Sequence, residues 1–559
     1  MRNRYYAQLS LVILISALYS RELFNENLFY PDASHLMLDG VFIADYVREL
    51  LTNGFTNPMD YAIRYFGQYP ALSIGYKPPL WPAIQALFML IFGVAPWVMR
   101  LALLVLAIFG AIALYRTIER GSGVFVAWVS TALALSIPYL VQWGWYAMTE
   151  LSALIFVLSA GWPLSRYLEE RRHRYLVYMV LLLAAGVWCK QTAAVGALWV
   201  VLAAVLSLGI KETFRRREVW AAMVAYFLLI APVIWLTIEF GKKNLSQAVN
   251  KELQTSVFVS SNNVFLKYID RLFSDQLSAL FVSAAIAGIL LALWRLRQGV
   301  DPGLKRNIIL FLSLIISTYI FFTILNGKNP RYTVFWLPGF GYFAGFLIGE
   351  LRRHYNSLIA GAGFALLLAT NVVQSFAMLP REVTGMVEAA DYVVENAEFP
   401  VVMVDSYINA HFIYLMRQKD PERQFWIVRG DKVLSVAGMV HNANHGNVTT
   451  FAESADDIKN ILHQYGVKYI VVDKIDLIGV PIHESFREYL LSDDFRLLKE
   501  ITTSSNRDKR YDNGQSVNIY EFLEWREPTS KSITIQVPIV GKTFTVPLAD
   551  FKSKKQMKN

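Results

Sequence analysis

The residues with most chemical content sit in one polar loop between two apolar stretches. After an apolar segment, roughly Tyr6 to Tyr19, the chain reads Tyr30-Pro31-Asp32-Ala33-Ser34-His35-Leu36-Met37-Leu38-Asp39-Gly40. The loop closes with Tyr76-Lys77-Pro78-Pro79-Leu80-Trp81 before the chain turns apolar again. Charge at a membrane boundary is costly unless it is used. A carboxylate at Asp32 and an ammonium at Lys77 in the same loop therefore point to chemistry on an anion linked to a lipid. The loop also carries Asp39, Asp45 and Asp60 with Arg64 and Tyr65. Each candidate has a plainer reading beside it. Residues 33–50 of this loop, about 21–80, are expected to form an amphipathic helix lying on the bilayer surface; Asp32 falls at its N-cap, Asp39 reads as a second base or as its wet face, and Lys77 reads as a lysine snorkelling from a helix end.

These residues must be held by a membrane protein. The chain has 559 residues, 55% hydrophobic and only 17% charged, with a mean hydropathy of +0.36, too apolar for an ordinary soluble enzyme. At about 20 apolar residues per span, about eleven segments qualify, near 6–20, 96–115, 122–141, 147–164, 174–188, 191–209, 217–240, 277–296, 305–325, 332–350 and 356–378. Short basic stretches fall on one side of these spans: Arg2 and Arg4, Arg116 and Arg120, Arg171-Arg172-His173-Arg174, Arg215-Arg216-Arg217, Arg295 and Arg297, Lys305 and Arg306, and Arg352-Arg353. The positive-inside rule makes that side cytoplasmic and puts the N-terminus there. The apolar run Pro79 to Phe92 is then expected not to cross, because a full crossing would turn every later basic turn outward. The first segment is expected to stay as an uncleaved signal anchor.

The formal charge of +9 belongs mostly to the basic turns, so topology and anionic headgroups account for it without nucleic acid. The single cysteine, Cys189, excludes an intrachain disulfide and a cysteine-rich metal site.

Further polar residues stand at the outer ends of later spans: Thr149-Glu150, Lys190-Gln191-Thr192, and Lys328-Asn329-Pro330-Arg331-Tyr332. Trp143, Trp145 and Tyr146 read as an interfacial aromatic belt. Arg64, Tyr65 and Tyr69 read as exposed, with sugar stacking as the functional alternative. The loop Gly241 to Ser274, with Lys242, Lys243, Lys251 and Lys267, is long for a helix connection and is read as a cover for the site. His441 and His445 have i, i+4 spacing, but the Asn and Gly around them favour a loop over a zinc site. From about residue 380 the pattern changes. Helical 383–396, strand 400–404, helical 409–417, strand 425–429, helical 454–465, strand 467–472 and later strands near 495–501 and 517–522 read as a separate α/β domain with a partly parallel sheet. The stretch Ser532 to Asp550 reads as a hairpin.

The Asp32 to Gly40 segment, the Lys77-Pro78-Pro79-Leu80-Trp81 run, Arg100-Leu101 opening the next span, and the turns at Glu150, Lys190 and Arg331-Tyr332 resemble, in their order, the GT-C glycosyltransferases of family 39 and the related aminoarabinose and protein O-mannosyl transferases. The resemblance covers roughly 1–380 and implies a GT-C transmembrane domain of about 11–13 helices with an extracytoplasmic α/β domain over 381–559. It implies an inverting transfer of a sugar from a polyprenyl-phosphate carrier to a glycan, lipid or protein acceptor at the outer face. Asp32 is then the base, with Asp39 and Glu150 as further acidic site residues. Lys77, Lys190 and Arg331 hold the carrier phosphate, and Tyr76, Arg64, Tyr65 and Tyr332 contact sugar or acceptor. Ala33 stands where many relatives have a second acid, and Tyr76 where some have Glu or His, so no cofactor is expected and a divalent metal is not favoured. Two other classes fit the same features. One is a transporter or flippase of lipid-linked sugars, although no repeated halves are visible. The other is a non-catalytic assembly protein acting through its C-terminal domain. External placement of loop 1 and of that domain assigns them the choice of acceptor.

Overall fold

The computed structural model describes residues 2–73, 75–241, 265–325, 329–437, 448–476, 478–511, 514–530, 532–537 and 542–547. Lys242, Lys243, Lys251, Lys328, His441 and His445 lie outside the described residues. Among the described residues eight helices are long and apolar enough to cross a membrane. Several of them turn large apolar side chains outward, among them Leu228, Trp235, Leu290 and Val373. In water such exposure would be a liability; in a bilayer it is the solvent-facing surface.

Helix α1 (Arg2–Tyr19) packs against α5 (Pro96–Leu135), which is broken at Gly123. There φ is 82°, a value open to glycine without steric penalty. The chain reverses at this point. Arg100 on the first arm donates to the carbonyls of Glu22 and Leu23 (2.9 Å each), Glu119 near the break pairs with Arg4 (2.6 Å), and the Tyr19 hydroxyl donates to Leu135 O at the far end of the second arm (3.1 Å). The expected spans over 96–115 and 122–141 are these two arms. The second arm takes a very close neighbour: a Cβ at Gly341 or Gly345 of the helix Leu337–His354 would collide with Ala134 or Ser130. Small residues at such crossings let helices approach where no hydrophobic force drives them together.

The basic turns gather at one end of this bundle, where acids meet them. Arg4 pairs with Glu119, Arg120 with Glu169 and Glu170, Arg306 with Glu169, and Arg295 with Glu350. The polar loop between α1 and α5 forms the opposite end. It folds into α2 (Pro31–Asn53), α3 (Pro58–Gln68) and α4 (Leu80–Phe92). With 13 residues, α4 is about 20 Å long, short of the ~30 Å hydrocarbon core. Both its ends stay on the loop side. Trp81 Nε1 donates to Ala147 O (2.8 Å) and Arg48 Nη2 donates to Met89 O (3.1 Å). Its exposed Leu87, Ile91 and Phe92 give it an apolar outer face, as the charge parity required.

Helix α2 does not lie along a lipid surface, contrary to the sequence expectation. Leu36, Leu38, Val41 and Ala44 are fully buried, because α2 is packed between α4 and the helix Asn409–Lys419 of the C-terminal domain. That domain has a five-stranded mixed sheet in the order β2-β1-β5-β7-β6, built from β1 (Val401–Asp405), β2 (Trp426–Arg429), β5 (Tyr469–Asp473), β6 (Phe495–Thr502) and β7 (Ser516–Phe522). β1 runs parallel to both neighbours, while β7 is antiparallel to β5 and β6. A small pair, β3 (Ser435–Ala437) with β4 (Val448–Thr450), and the hairpin β8 (Ser532–Val537) and β9 (Lys542–Pro547) complete it.

A buried ion pair fastens α2 to this domain. Arg417 reaches Asp45 with two nitrogens, at 2.8 and 2.7 Å, and both side chains are almost wholly enclosed. The Tyr65 hydroxyl donates to the same carboxylate (2.9 Å), Arg423 lies over the Tyr61 and Tyr65 rings, and Gln68 donates to the carbonyls of Arg423 and Phe425. Tyr65 and Tyr69 are therefore buried rather than exposed, and Tyr65 serves docking rather than sugar contact. Removing one partner leaves a buried charge alone, at a cost of about 3–5 kcal/mol. Arg417→Met should accordingly lower the unfolding temperature and open α2 to limited proteolysis, whereas Asp45→Leu combined with Arg417→Met should lose less than Arg417→Met alone.

Candidate active site

Pro31 supplies the fixed φ that starts α2, so Asp32 lies inside the first helical turn and Tyr30, in extended conformation, precedes it. Asp32 thus caps nothing. Its side chain projects from the loop end of the bundle and meets two cations: Oδ1 accepts from Lys77 Nζ (3.1 Å) and Oδ2 from Arg331 Nη1 (2.9 Å). Arg331 Nε lies 3.4 Å from Glu150 Oε1, which accepts from Lys190 Nζ at 2.5 Å. Five residues from five separate segments form one row of alternating sign, Lys77, Asp32, Arg331, Glu150 and Lys190.

Each member is positioned by local structure. Lys77 follows a turn in which the Tyr76 and Lys77 amides donate to Ser73 O. Ser73 is itself held by Asp39, whose Oδ1 accepts from the Ser73 amide (2.7 Å) and whose Oδ2 accepts from the Ser73 hydroxyl. Asp39 is fully buried. It is neither a second base nor a wet helix face; it fixes the turn that presents Lys77. Glu150 opens the helix Thr149–Ser159 just after Ala147, a non-glycine residue at φ 51°, and such strain persists only where its surroundings hold it. Here the Trp81 indole bonds the Ala147 carbonyl. Lys190 follows the last turn of the helix His173–Cys189 in extended conformation. Arg331 sits in a 3₁₀ turn whose start is capped by the Asn329 side chain accepting from the Arg331 amide (3.1 Å). Gln276 braces the same turn by donating to Pro330 O and accepting from Trp336 Nε1.

The row is graded in accessibility. The Glu150 side chain is 1% exposed, Lys77, Arg331 and Lys190 are 14–17% exposed, and Asp32 is 36% exposed. Glu150 is the inner anchor and Asp32 the outer, reachable acid. Desolvation works against ionisation of Asp32, but Lys77 and Arg331 outweigh it and hold the carboxyl well below the usual range. With both oxygens engaged it is a poor proton acceptor until the cations move away.

The Tyr332 ring lies within 6 Å of the Lys190 and Arg331 cations (5.5 and 5.8 Å), and of Tyr76 it is the backbone carbonyl that faces the neighbouring Gln191 Nε2 (3.5 Å). Arg64 does not belong to the site; it is exposed on α3. Trp143, Trp145 and Tyr146 form no interfacial belt: all three are buried, and Tyr30 packs on Trp143 and Tyr146. Tyr30, whose hydroxyl is 3.4 Å from Arg331 Nη1, and His35 were not nominated from sequence. His35, three residues after Asp32, shares its helix face, a signal that was legible. Among the described residues no three His, Cys, Asp or Glu side chains are placed to hold a metal ion. Asp32 and Glu150 are the acids a divalent ion would use here, and it would have to displace Lys77 and Arg331 from them.

The row lies at the mouth of the bundle, with the α/β domain over it. Residues 76–236 match the family model described as Dolichyl-phosphate-mannose-protein mannosyltransferase, a segment that contains Lys77, Glu150 and Lys190. The fold is similar to ArnT from Cupriavidus metallidurans bound to undecaprenyl phosphate, at a TM-score of 0.54 and 14% identity over 91% of this chain and 97% of that one. The apo form of the same protein gives 0.53 and 12% over 91% and 98%. The apo oligosaccharyltransferase of Archaeoglobus fulgidus gives 0.51 and 12% over 83% of this chain and 69% of that one. No curated protein sequence matches the chain. The chain is thus a multi-pass membrane protein with the GT-C fold, and its residues 76–236 match a glycosyltransferase family.

The accessibility gradient predicts unequal roles. Asp32→Asn should change thermal stability by no more than about 1 kcal/mol, as for a solvent-reached pair. Glu150→Gln, which leaves enclosed cations short of an acid, should lose about 3 kcal/mol. Thermal unfolding in one detergent orders the two variants.

Proposed function

We propose that this enzyme moves a sugar, with inversion, from a polyprenyl-phosphate carrier to a hydroxyl-bearing acceptor on the extracytoplasmic face. In this reading the basic end of the bundle is cytoplasmic, by the positive-inside rule, and the site opens outward beneath the C-terminal domain. The observation that carries the proposal is the alternating row: three cations share two acids, leaving one net positive charge at the mouth of an apolar bundle. In the resting protein, carboxylates occupy the positions a phosphate would take.

When the donor binds, its phosphate attracts Lys77, Arg331 and Lys190. As Lys77 and Arg331 turn toward it, Asp32 loses both counter-charges and its basicity rises. Asp32 then takes the proton of the acceptor hydroxyl, and the acceptor oxygen attacks the anomeric carbon from the side opposite the phosphate. The carbon–oxygen bond to phosphate breaks with its electron pair on the leaving oxygen. The growing charge on the carrier phosphate meets cations already in place, with Arg331 able to make a two-pronged contact. This charge supply is what a metal would otherwise provide, so the transfer is proposed to be metal-independent. Tyr76 and Tyr332 border the space where the sugar would sit.

The test is release of free polyprenyl phosphate from a panel of radiolabelled polyprenyl-phosphate sugars by the purified protein in nanodiscs. Asp32→Asn should slow release by about 10²–10⁴-fold, the usual worth of a positioned base. Lys77→Met and Arg331→Met should weaken donor binding as well as turnover. A stable Asp32→Asn protein working at the wild-type rate would overturn the mechanism. Binding of every donor without release would favour transport of lipid-linked sugars instead.

A further inference from the structure

The first strand of the C-terminal sheet, β1, lies between β2 on one side and β5 on the other, both parallel to it. The chain passes from β1 to β2 on one side and later crosses back to β5 on the other, and a crevice forms outside the carboxyl ends of strands at such a switch point. Here the crevice is a cavity of about 210 Å³. The loop after β1 contributes Ser406, Tyr407 and Asn409, the residues after and at the end of β2 contribute Asp431 and Arg429, and Ile478 follows β5. The remaining wall comes from the membrane domain: Phe29, Pro31 and His35. Pro31 and His35 flank Asp32 on the first turns of α2, so the cavity adjoins the charged row.

His35 is the telling residue in this wall. Its Nδ1 is 2.6 Å from Ala71 O, a pure acceptor, so Nδ1 carries the hydrogen. In a neutral imidazole Nε2 is then a lone-pair acceptor, and among the described residues no hydrogen bond engages it. Burial pushes the imidazole down to about 4, helped by Lys77 and Arg429 against the Ala71 hydrogen bond and Asp32, which keeps it neutral at physiological pH. At Nε2, an imidazole locked in this tautomer receives a hydrogen bond and gives none.

We infer that this cavity is the acceptor site, that it takes a single sugar ring, and that Nε2 of His35 receives a hydrogen bond from a ring hydroxyl, orienting the neighbouring hydroxyl toward Asp32. The inference rests on the transfer reaction proposed above and names its acceptor class. The lining supports a sugar: a planar Arg429–Asp431 pair (2.6 Å) and the Asn409 amide stand beside Phe29, Pro31 and Ile478, polar groups for hydroxyls next to apolar surface for a ring face. The volume is below the ~300–1,000 Å³ usual for larger ligands, which fits one ring. A lipid alcohol would need a continuous apolar trough, and this lining is interrupted by Arg429, Asp431 and Asn409. An extended peptide finds no open strand either, since the edge strand β2 is covered by the loop before α4, with Arg429 Nη1 donating to Pro70 O (2.8 Å) and Gln68 bonding Phe425 O. His35 acts as a positioning residue; the proton still goes to Asp32.

The test gives the full-length protein in nanodiscs its polyprenyl-phosphate sugar donor with four acceptor probes: a methyl hexoside, a methyl pentoside, farnesol and a serine-containing peptide. Wild type should glycosylate a methyl glycoside. His35→Phe, which removes Nε2, and Ile478→Trp, which fills the cavity, should each raise the KM for the glycoside about tenfold, the worth of one hydrogen bond to a buried partner. Acceptor-free release of carrier should stay within about twofold of wild type, which also shows that the variants are folded. His35→Gln, whose amide oxygen can replace the lone pair, should recover part of the loss. Transfer to the peptide or farnesol but to neither glycoside would overturn the inference, as would glycoside transfer indifferent to both variants. Absence of carrier release from wild type would instead overturn the parent reaction.

Discussion

Charge compensation at the mouth of an apolar bundle is the constraint on which this structure depends. Three cations and two acids, drawn from loop 1, from the starts or ends of three helical segments and from a 3₁₀ turn, are far too polar to stand alone beside hydrocarbon. Set in alternation they satisfy one another: Lys77 and Arg331 share Asp32, and Arg331 and Lys190 share Glu150. The pairing keeps the cations in place and suppresses the basicity of Asp32. In the reaction proposed above, an arriving donor phosphate would take over the cations and free Asp32 to act as a base. The ion row is thus at once the structural solution for the resting protein and the template for a charged donor.

Helix α2 is the element through which the two halves of the chain act on that row. Its first turn carries Asp32, its next turn His35, and Asp39 one turn later holds Ser73 and through it the turn of Lys77. Farther along, Asp45 binds Arg417. One helix therefore connects the membrane charges to the α/β domain, and movement of that domain would be felt at Asp32. The carboxyl ends of β1, β2 and β5 open beside the same helix, which brings the domain's natural crevice against the reaction centre.

Much of this was legible in the sequence, for definite reasons. Hydrophobic length and the sidedness of the arginines required the spans and excluded α4 as one of them. The α/β alternation after residue 380 is sharply patterned, and its strands fall within a residue or two of the expected limits. Lys77, Asp32, Glu150, Lys190 and Arg331 stood out because each is a charged residue where an apolar span begins or ends. The readings that failed concern burial. Asp39, Tyr65, Tyr69 and the cluster Trp143, Trp145 and Tyr146 were taken as facing water or headgroups, and each is enclosed. Nothing local marks them, because their cover comes from the turn at Ser73, from Arg417 and Arg423 some 350 residues away, and from Tyr30.

The sequence by itself determined which segments lie in the bilayer, which end of the bundle carries the basic turns, and the list of charges that must be neutralised, because these follow from composition, hydropathic length and charge placement. Only the tertiary structure decided who neutralises whom. Ion pairing acts over a few ångströms between groups distant in the chain, so it required the packing of α2, α4 and the late helices to make Asp32 the exposed acid and Glu150 the buried one. The tautomer of His35 and the crevice beside it were decided in the same way, by an Ala71 carbonyl and a sheet edge that no local pattern could assign to them.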